Sequence, residues 1–208
     1  MKLVKDWWVP DHMNSAGSHL GRSAVIDVAL AYLPAERRRT CIQAGAHIGI
    51  WPKLLSAQFE QVYAWEPMQE NWDCLIRNLE GVENVLLKNG CLGDTKGKAK
   101  MRYSPRNTGK HCIAPDGTHK TSVERLDDFW VPNLDALFLD VEGYELRVLL
   151  GAHALIHNNL PLLVIEENGL NSRYNISDEA VPAYLKGFNY YPAEHHGEDV
   201  IYAQEGWK

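Results

Sequence analysis

The chain has 208 residues, 45% of them apolar and 23% charged. That length fits one domain of about 150–200 residues, large enough to fold without a disulfide or metal staple. A formal charge of −6 and seven tryptophans disfavour a constitutive nucleic-acid binder, which is usually basic, and exclude a disordered chain.

The first 17 residues read as irregular, with Trp7, Trp8 and Pro10 placed either to dock the segment on a domain or to cap a ligand. From Ser18 to Leu33, apolar residues (Leu20, Ala24, Val25, Val28, Tyr32) recur near helical spacing and stop at Pro34. Residues 1–39 are therefore expected to form a docking or capping segment, and 40–208 a single domain. A strand over Thr40–Ala44 is followed by a helix over Trp51–Phe59, with Pro52 in its first turn. Val62–Trp65 is a second strand, before a helix over Gln69–Leu79 that Gly81 ends. Val85–Lys88 is a third strand, Lys96–Tyr103 is extended, and Asn107–Thr121 is polar and loop-rich. Ala136–Val141 is a fourth strand leading into a helix over Tyr144–Ile156, and Leu162–Ile165 is a fifth, before a helix over Asp178–Leu185. Phe188–Pro192 and Asp199–Ala203 are joined by a His195-His196-Gly197 turn, too short for a parallel crossover, so they form an antiparallel hairpin. The expected fold is α/β: a doubly wound, mostly parallel, seven-stranded Rossmann-like sheet with a C-terminal antiparallel hairpin.

The first strand runs into Gln43-Ala44-Gly45-Ala46-His47-Ile48-Gly49. Glycines at 45 and 49 suit a tight turn close to a ligand, though the spacing matches neither a dinucleotide fingerprint nor a P-loop. The second strand ends in Trp65-Glu66-Pro67, with Glu66 21 residues after Gly45. A carboxylate there can accept both ribose hydroxyls of a nucleoside. Glycine turn, acid-tipped second strand and terminal hairpin together point to S-adenosylmethionine.

These stretches resemble the FkbM family of class I S-adenosylmethionine-dependent methyltransferases, from about Thr40 to Ala203. Further blocks carry the likeness: Leu75-Ile76-Arg77-Asn78-Leu79, Gly90-Cys91-Leu92-Gly93-Asp94, Val123-Glu124-Arg125-Leu126-Asp127-Asp128, and Leu139-Asp140-Val141-Glu142-Gly143-Tyr144-Glu145 leading to Gly151-Ala152. The resemblance implies S-adenosylmethionine lying over Gly45, Ala46, His47 and Gly49, with its ribose on Glu66 and its adenine near Met68, Cys91 and Leu92. Family members usually carry an acid at the position of Gln43 and asparagine at that of His47. Gln43 accepts a hydrogen bond but brings no charge, so Asp140 is the nearest carboxylate to take the cofactor's ammonium.

The usual activity of such a family is methylation of a hydroxyl, here of a sugar, glycan or other small molecule. Ligands of an open parallel sheet sit beyond the carboxyl ends of its strands. Asp140, Glu142 and Glu166 are there, and are the candidate catalytic bases. Glu145 reads as a solvated first-turn acid. No metal is assigned, although Asp140, Glu142 and Glu166 could hold Mg²⁺. His153 and His157 read as helix C-terminal residues rather than zinc ligands. Nucleic-acid acceptors are disfavoured, because Asp140-Val141-Glu142-Gly143 replaces the Pro-Pro motif of base methylation and Glu166-Glu167 stands where ribose methylation uses lysine. A non-catalytic nucleotide-binding module remains the alternative, kept open by Gln43.

The four cysteines (41, 74, 91, 112) lack metal-like spacing and read as buried thiols. The chain start shows no secretory pattern and no apolar run reaches membrane-spanning length, so a cytoplasmic protein without membrane contact is expected. Charge is unevenly placed. Residues 88–125 carry nine basic against three acidic residues, leaving −12 elsewhere. That segment reads either as a solvated lysine-rich hairpin or as a rim attracting an anionic substrate. The Asn107–Thr121 loop within it is expected, with the Trp7-Trp8 segment, to form a lid over the acceptor.

Overall fold

The computed structural model describes residues 1–13, 23–104 and 107–207. A two-stranded hairpin, β1 (Lys2–Val4) and β2 (Trp7–Val9), opens the chain, and helix α1 (Ala24–Leu30) follows. The first part of the expected 18–33 helix lies outside the described residues. Next come β3 (Thr40–Ala44), α2 (Ile50–Ser56), β4 (Gln61–Trp65), α3 (Gln69–Asn78) and β5 (Val85–Lys88). The chain then builds β6 (Cys91–Leu92), β7 (Gly97–Arg102), β8 (Cys112–Ile113) and β9 (His119–Glu124). It continues with β10 (Leu134–Leu139), α4 (Glu145–Leu150), α5 (His153–Asn159), β11 (Leu162–Glu166), α6 (Ala180–Lys186), β12 (Tyr190–His196) and β13 (Asp199–Gln204).

Seven strands form the main sheet in the order β12-β13-β11-β10-β3-β4-β5. Its β5, β4, β3, β10 and β11 run parallel, while β13 lies antiparallel to both β11 and β12. The central strands are apolar at successive positions because both faces are covered. Cys41, Phe138 and Val164 pack with α1 and α2 on one face; Ile42, Leu137 and Ile165 pack with α4, α5 and α6 on the other. Each such fully buried aliphatic side chain contributes roughly 1.5–3 kcal/mol. Asp135, fully buried at the start of β10, accepts from Arg39 Nη2 at 2.6 Å and Nε at 2.8 Å and so ties β10 to the start of β3.

Four local expectations are corrected. Asn107–Thr121 is more than a loop, because β8 and the start of β9 lie within it and join β6 and β7 in a four-stranded sheet. The expected 144–156 helix is two helices. A Cβ on Gly151 would lie 2.0 Å from the Gly93 carbonyl oxygen, and Asp127 accepts from the backbone N–H of Ala154 and Leu155 at 3.1 and 2.9 Å, capping α5 as a separate helix. His195 and His196 belong to β12, and the turn falls at Gly197, whose φ is +66°. Trp7 and Trp8 form no lid over the carboxyl ends of the strands. They dock on α2 and α3, with the Trp8 backbone exchanging hydrogen bonds of 2.7 and 2.9 Å with Asn78, and Lys53 and Arg77 over the two indoles. All four cysteines are free and buried. Among the described residues no helix is long and apolar enough to cross a membrane.

Gly151→Ala is expected to destabilise the protein by about 1–3 kcal/mol, since the added methyl must displace backbone rather than a side chain. A urea titration checks this; the midpoint should fall with an unchanged slope, and an unmoved midpoint would show that the Gly93 contact does not enforce the break.

Candidate active site

The carboxyl ends of β3, β4, β10 and β11 open on a crevice of about 270 Å³, walled on the far side by residues 107–111. It lies where strand order reverses: β3 is followed by β4 on one side and flanked by β10 on the other, so the two loops diverge. The Asp140 N–H donates to the Ala44 carbonyl at 3.1 Å, and a Cβ on Gly45 (φ +84°) would come within 1.8 Å of the Asp140 oxygen. Glycine is thus demanded here by the approach of the two strand ends themselves. Gly49 (φ +95°) lines no part of the crevice; its missing Cβ makes room for Leu75 of α3.

Glu66 is buried at the end of β4, and its Oε2 accepts from the His47 N–H and its Oε1 from the Met68 N–H, both at 2.8 Å. Asn71 adds a longer contact of 3.4 Å to Oε1. Burial pushes its carboxyl up to about 7 against the pull of those donors. Oε2, with one donor, keeps a further lone pair for a hydroxyl, and Oε1 has room for one where the long Asn71 contact gives way. His47 has a φ of +52°, a conformation in which both histidine and asparagine are enriched. Its Nε2 lies 2.7 Å from Thr108 Oγ1, tying the glycine turn to the opposite wall.

A small hollow adjoins the crevice at Gly45, His47 and Asp140 and is also lined by Gln43 and Ala46. Gln43 Nε2 donates to the Gly45 carbonyl at 2.9 Å, while its buried Oε1 has no protein donor among the described residues. An acceptor so placed, beside the Asp140 carboxylate, fits a cationic donor such as an ammonium. Cys91 and Leu92 line the crevice, whereas Met68 is buried behind it with Cys91, Met101 and Val123.

Asp140, Glu142 and Glu166 converge, each offering a carboxylate oxygen within 4.8 Å of the others. Glu142 has a φ of +59° and Gly143 one of +96°, where a Cβ would meet the Leu170 carbonyl at 2.4 Å. This double left-handed turn keeps Glu142 buried at the crevice wall. Burial and the neighbouring Glu166 push its carboxyl up to about 6, while Arg173, whose Nη1 lies 3.2 Å from Oε2, opposes the rise. The all-oxygen donor set is one a hard divalent cation would accept. Glu145 is a correction: rather than solvated it is buried, its Oε1 accepting from the Val141 and Gly143 N–H at 3.0 and 3.2 Å. Burial pushes it to about 7, and it shapes the turn that presents Glu142.

Several crevice residues escape a linear reading. Asn71 also donates to the Thr108 carbonyl at 3.1 Å, and Lys110, His111, Tyr144 and Asn168 are among the other lining residues. Tyr144 lies in the Leu139–Glu145 block, but the others come from segments whose local sequence carries no ligand-binding pattern; only the basic character of 88–125 hints at Lys110.

A search of curated protein sequences finds no significant match. Among solved structures, the chain is similar to the methyltransferase FkbM of Methylobacillus flagellatus KT, at 18% identity and a TM-score of 0.58, over 80% of this chain and 43% of that one. The chain thus spans less than half the length of that protein. It is also similar to an uncharacterised protein of Listeria monocytogenes serotype 4b (8% identity, TM-score 0.52, 88% of this chain and 67% of that one). A putative methyltransferase of Streptococcus mutans, solved with S-adenosylhomocysteine, matches at 14% identity and a TM-score of 0.48, over 85% and 94% of the two chains. The family model of the methyltransferase FkbM domain matches residues 43–192, from the end of β3 into β12. The chain belongs to the FkbM family of class I, S-adenosylmethionine-dependent methyltransferases.

Proposed function

We propose that the protein transfers the methyl group of S-adenosylmethionine to a hydroxyl of a sugar, glycan or other small molecule, with Glu142 taking the hydroxyl proton. The observation that carries this is the convergence of Asp140, Glu142 and Glu166 beside the glycine turn. The cofactor, when bound, supplies a sulfonium-activated methyl for displacement by a nucleophile. Glu66 accepts from the ribose hydroxyls, Gln43 Oε1 and Asp140 take the ammonium, and Cys91 and Leu92 flank the adenine. Glu142 suits proton abstraction because its carboxyl, at about 6, is ionised at neutral pH yet basic enough to accept a proton. Its left-handed backbone costs roughly 1–3 kcal/mol, strain of a kind that clusters at functional sites. Burial and the neighbouring Glu166 raise its basicity. The acceptor hydroxyl is then oriented between Glu142 and the methyl donor, where alignment supplies much of the rate.

Glu66→Ala is expected to weaken S-adenosylhomocysteine binding by roughly tenfold or more, the loss of hydrogen bonds to a charged acceptor. Calorimetry checks it, with circular dichroism to verify folding; unchanged affinity in a folded variant removes Glu66 from the site. With an acceptor in hand, kcat/KM should rise with pH through about 6 and then level. Glu142→Gln should lower the plateau by about 10²–10⁴ and abolish that rise while leaving cofactor affinity intact. A Glu142→Gln enzyme of ordinary rate would assign proton removal elsewhere. Stability should move the opposite way with pH. Glu66, Glu142 and Glu145 are all raised above the ordinary value of 4.5, so the native state binds more protons than the unfolded chain between about 4.5 and 7. The melting temperature is therefore expected to fall as pH rises through this window, and less so in Glu145→Gln.

A further inference from the structure

A second cavity, of about 750 Å³, opens between the β7 strand, the start of α4 and residues 173–175. Its charge is opposite to that of the cofactor crevice. The crevice is lined by five carboxylates (Glu66, Asp140, Glu142, Glu166, Glu198) and one lysine, Lys110. The second cavity is lined by six cationic side chains (Lys96, Lys98, Lys100, Arg102, Arg147, Arg173) and one acid, Asp94. Arg102, Arg147 and Arg173 are paired, with Asp116, Asp94 and Glu142 respectively. Lys96, Lys98 and Lys100 make no ion pair within 4.0 Å among the described residues.

The lysines are also placed at an electrostatic cost. Lys98, Lys100 and Arg102 alternate along β7 and so share one face of it. The register of β7 against β9 sets Lys100 directly opposite Lys120, and like charges facing each other across a strand pair destabilise it. A bound anion would relieve that repulsion. The two cavities share walls: Ile113 and Tyr144 line both, and Arg173 lines the basic one while its Nη1 contacts Glu142 at 3.2 Å. A molecule offering a hydroxyl to Glu142 therefore has the basic cavity one guanidinium away.

We infer that this cavity binds the phosphate group of a phosphorylated acceptor, whose hydroxyl extends past Tyr144 and Ile113 to the carboxylate cluster. This rests on the methyltransferase reading above and adds a substrate class to it. Phosphate offers at least three acceptor oxygens and a charge near −2, which suit clustered ammonium groups and the forked guanidinium donors of Arg147 and Arg173. Its location separates the anion from the acidic crevice, which would repel it, and so orients the acceptor with one end only toward the methyl donor.

The test uses the full chain and its Lys98→Glu/Lys100→Glu variant, both changes being at exposed side chains. Glucose 6-phosphate and inorganic phosphate are titrated with amide shifts followed by NMR, with glucose as the uncharged comparison. Shifts are expected to cluster at residues 96–100 and 173–175, to be absent with glucose, and to require at least about tenfold more phosphate in the variant. Scattered shifts, or equal affinity in both proteins, would overturn the assignment. S-adenosylhomocysteine is titrated in parallel. Its binding to both proteins leaves the methyltransferase site standing whatever phosphate does, whereas its failure in both removes that reading without touching the anion data. A single-stranded RNA that binds far more tightly than phosphate, with a steep salt dependence lost in the variant, would overturn the small-molecule acceptor in favour of nucleic acid.

Discussion

The side-by-side pairing of β3 and β10 is the constraint on which the site depends. Because the chain leaves β3 toward β4 yet returns to its other side as β10, the loops after these two strands part and leave a crevice. Their backbones nevertheless meet at its base, where the Asp140 N–H reaches the Ala44 carbonyl and Gly45 accepts the Asp140 oxygen without a side chain in the way. This one contact sets the relative height of Gln43, Gly45 and Asp140, and through the Gly45–Gly49 turn it positions His47 to bind Glu66. The buried Asp135–Arg39 pair performs the same alignment at the other end of the two strands.

Around this base, acids are buried in two different ways. Glu66 and Glu145 each accept backbone N–H groups from a turn and so hold loops in shape, although burial outweighs those donors and raises both carboxyls to about 7. Glu142 instead faces like charges and is steadied by one arginine. The first arrangement fixes a turn, and the second leaves the Glu142 carboxyl facing the crevice. Glu145 links the two, since the turn it pins is the one that carries Glu142.

Most of the main sheet was legible in the chain because its strands are short apolar runs separated by helical periodicity. Val85–Lys88 coincides with β5, and the terminal hairpin follows from the brevity of its connection. Glu66 could be placed at the crevice because it follows a recognisable apolar strand at a set distance from the glycines. What could not be read depends on partners remote in sequence. Position 151 demands glycine because of Gly93, 58 residues earlier, and Glu145 accepts from N–H groups whose orientation the residue types do not encode. Of the second sheet only β7 was visible, within the extended Lys96–Tyr103, because β6 and β8 have two residues each and β9 begins in a polar stretch. The charge asymmetry was visible, but its division between two adjoining cavities appears only in three dimensions.

The close approach of Gly151 to Gly93 also has a mechanical meaning. The four-stranded sheet is fixed to the helical layer there and by the Arg147–Asp94 pair at 2.7 Å, while Trp65 Nε1, donating to Glu124 at 2.9 Å, fixes it to the main sheet. A sheet anchored on two sides cannot swing as a hinged door. The span of residues 107–111 on the far wall of the crevice is held differently, by the hydrogen bonds of Thr108 to His47 and Asn71, so the crevice has a sheet braced on two sides and one wall latched to the glycine turn and α3 by single side chains.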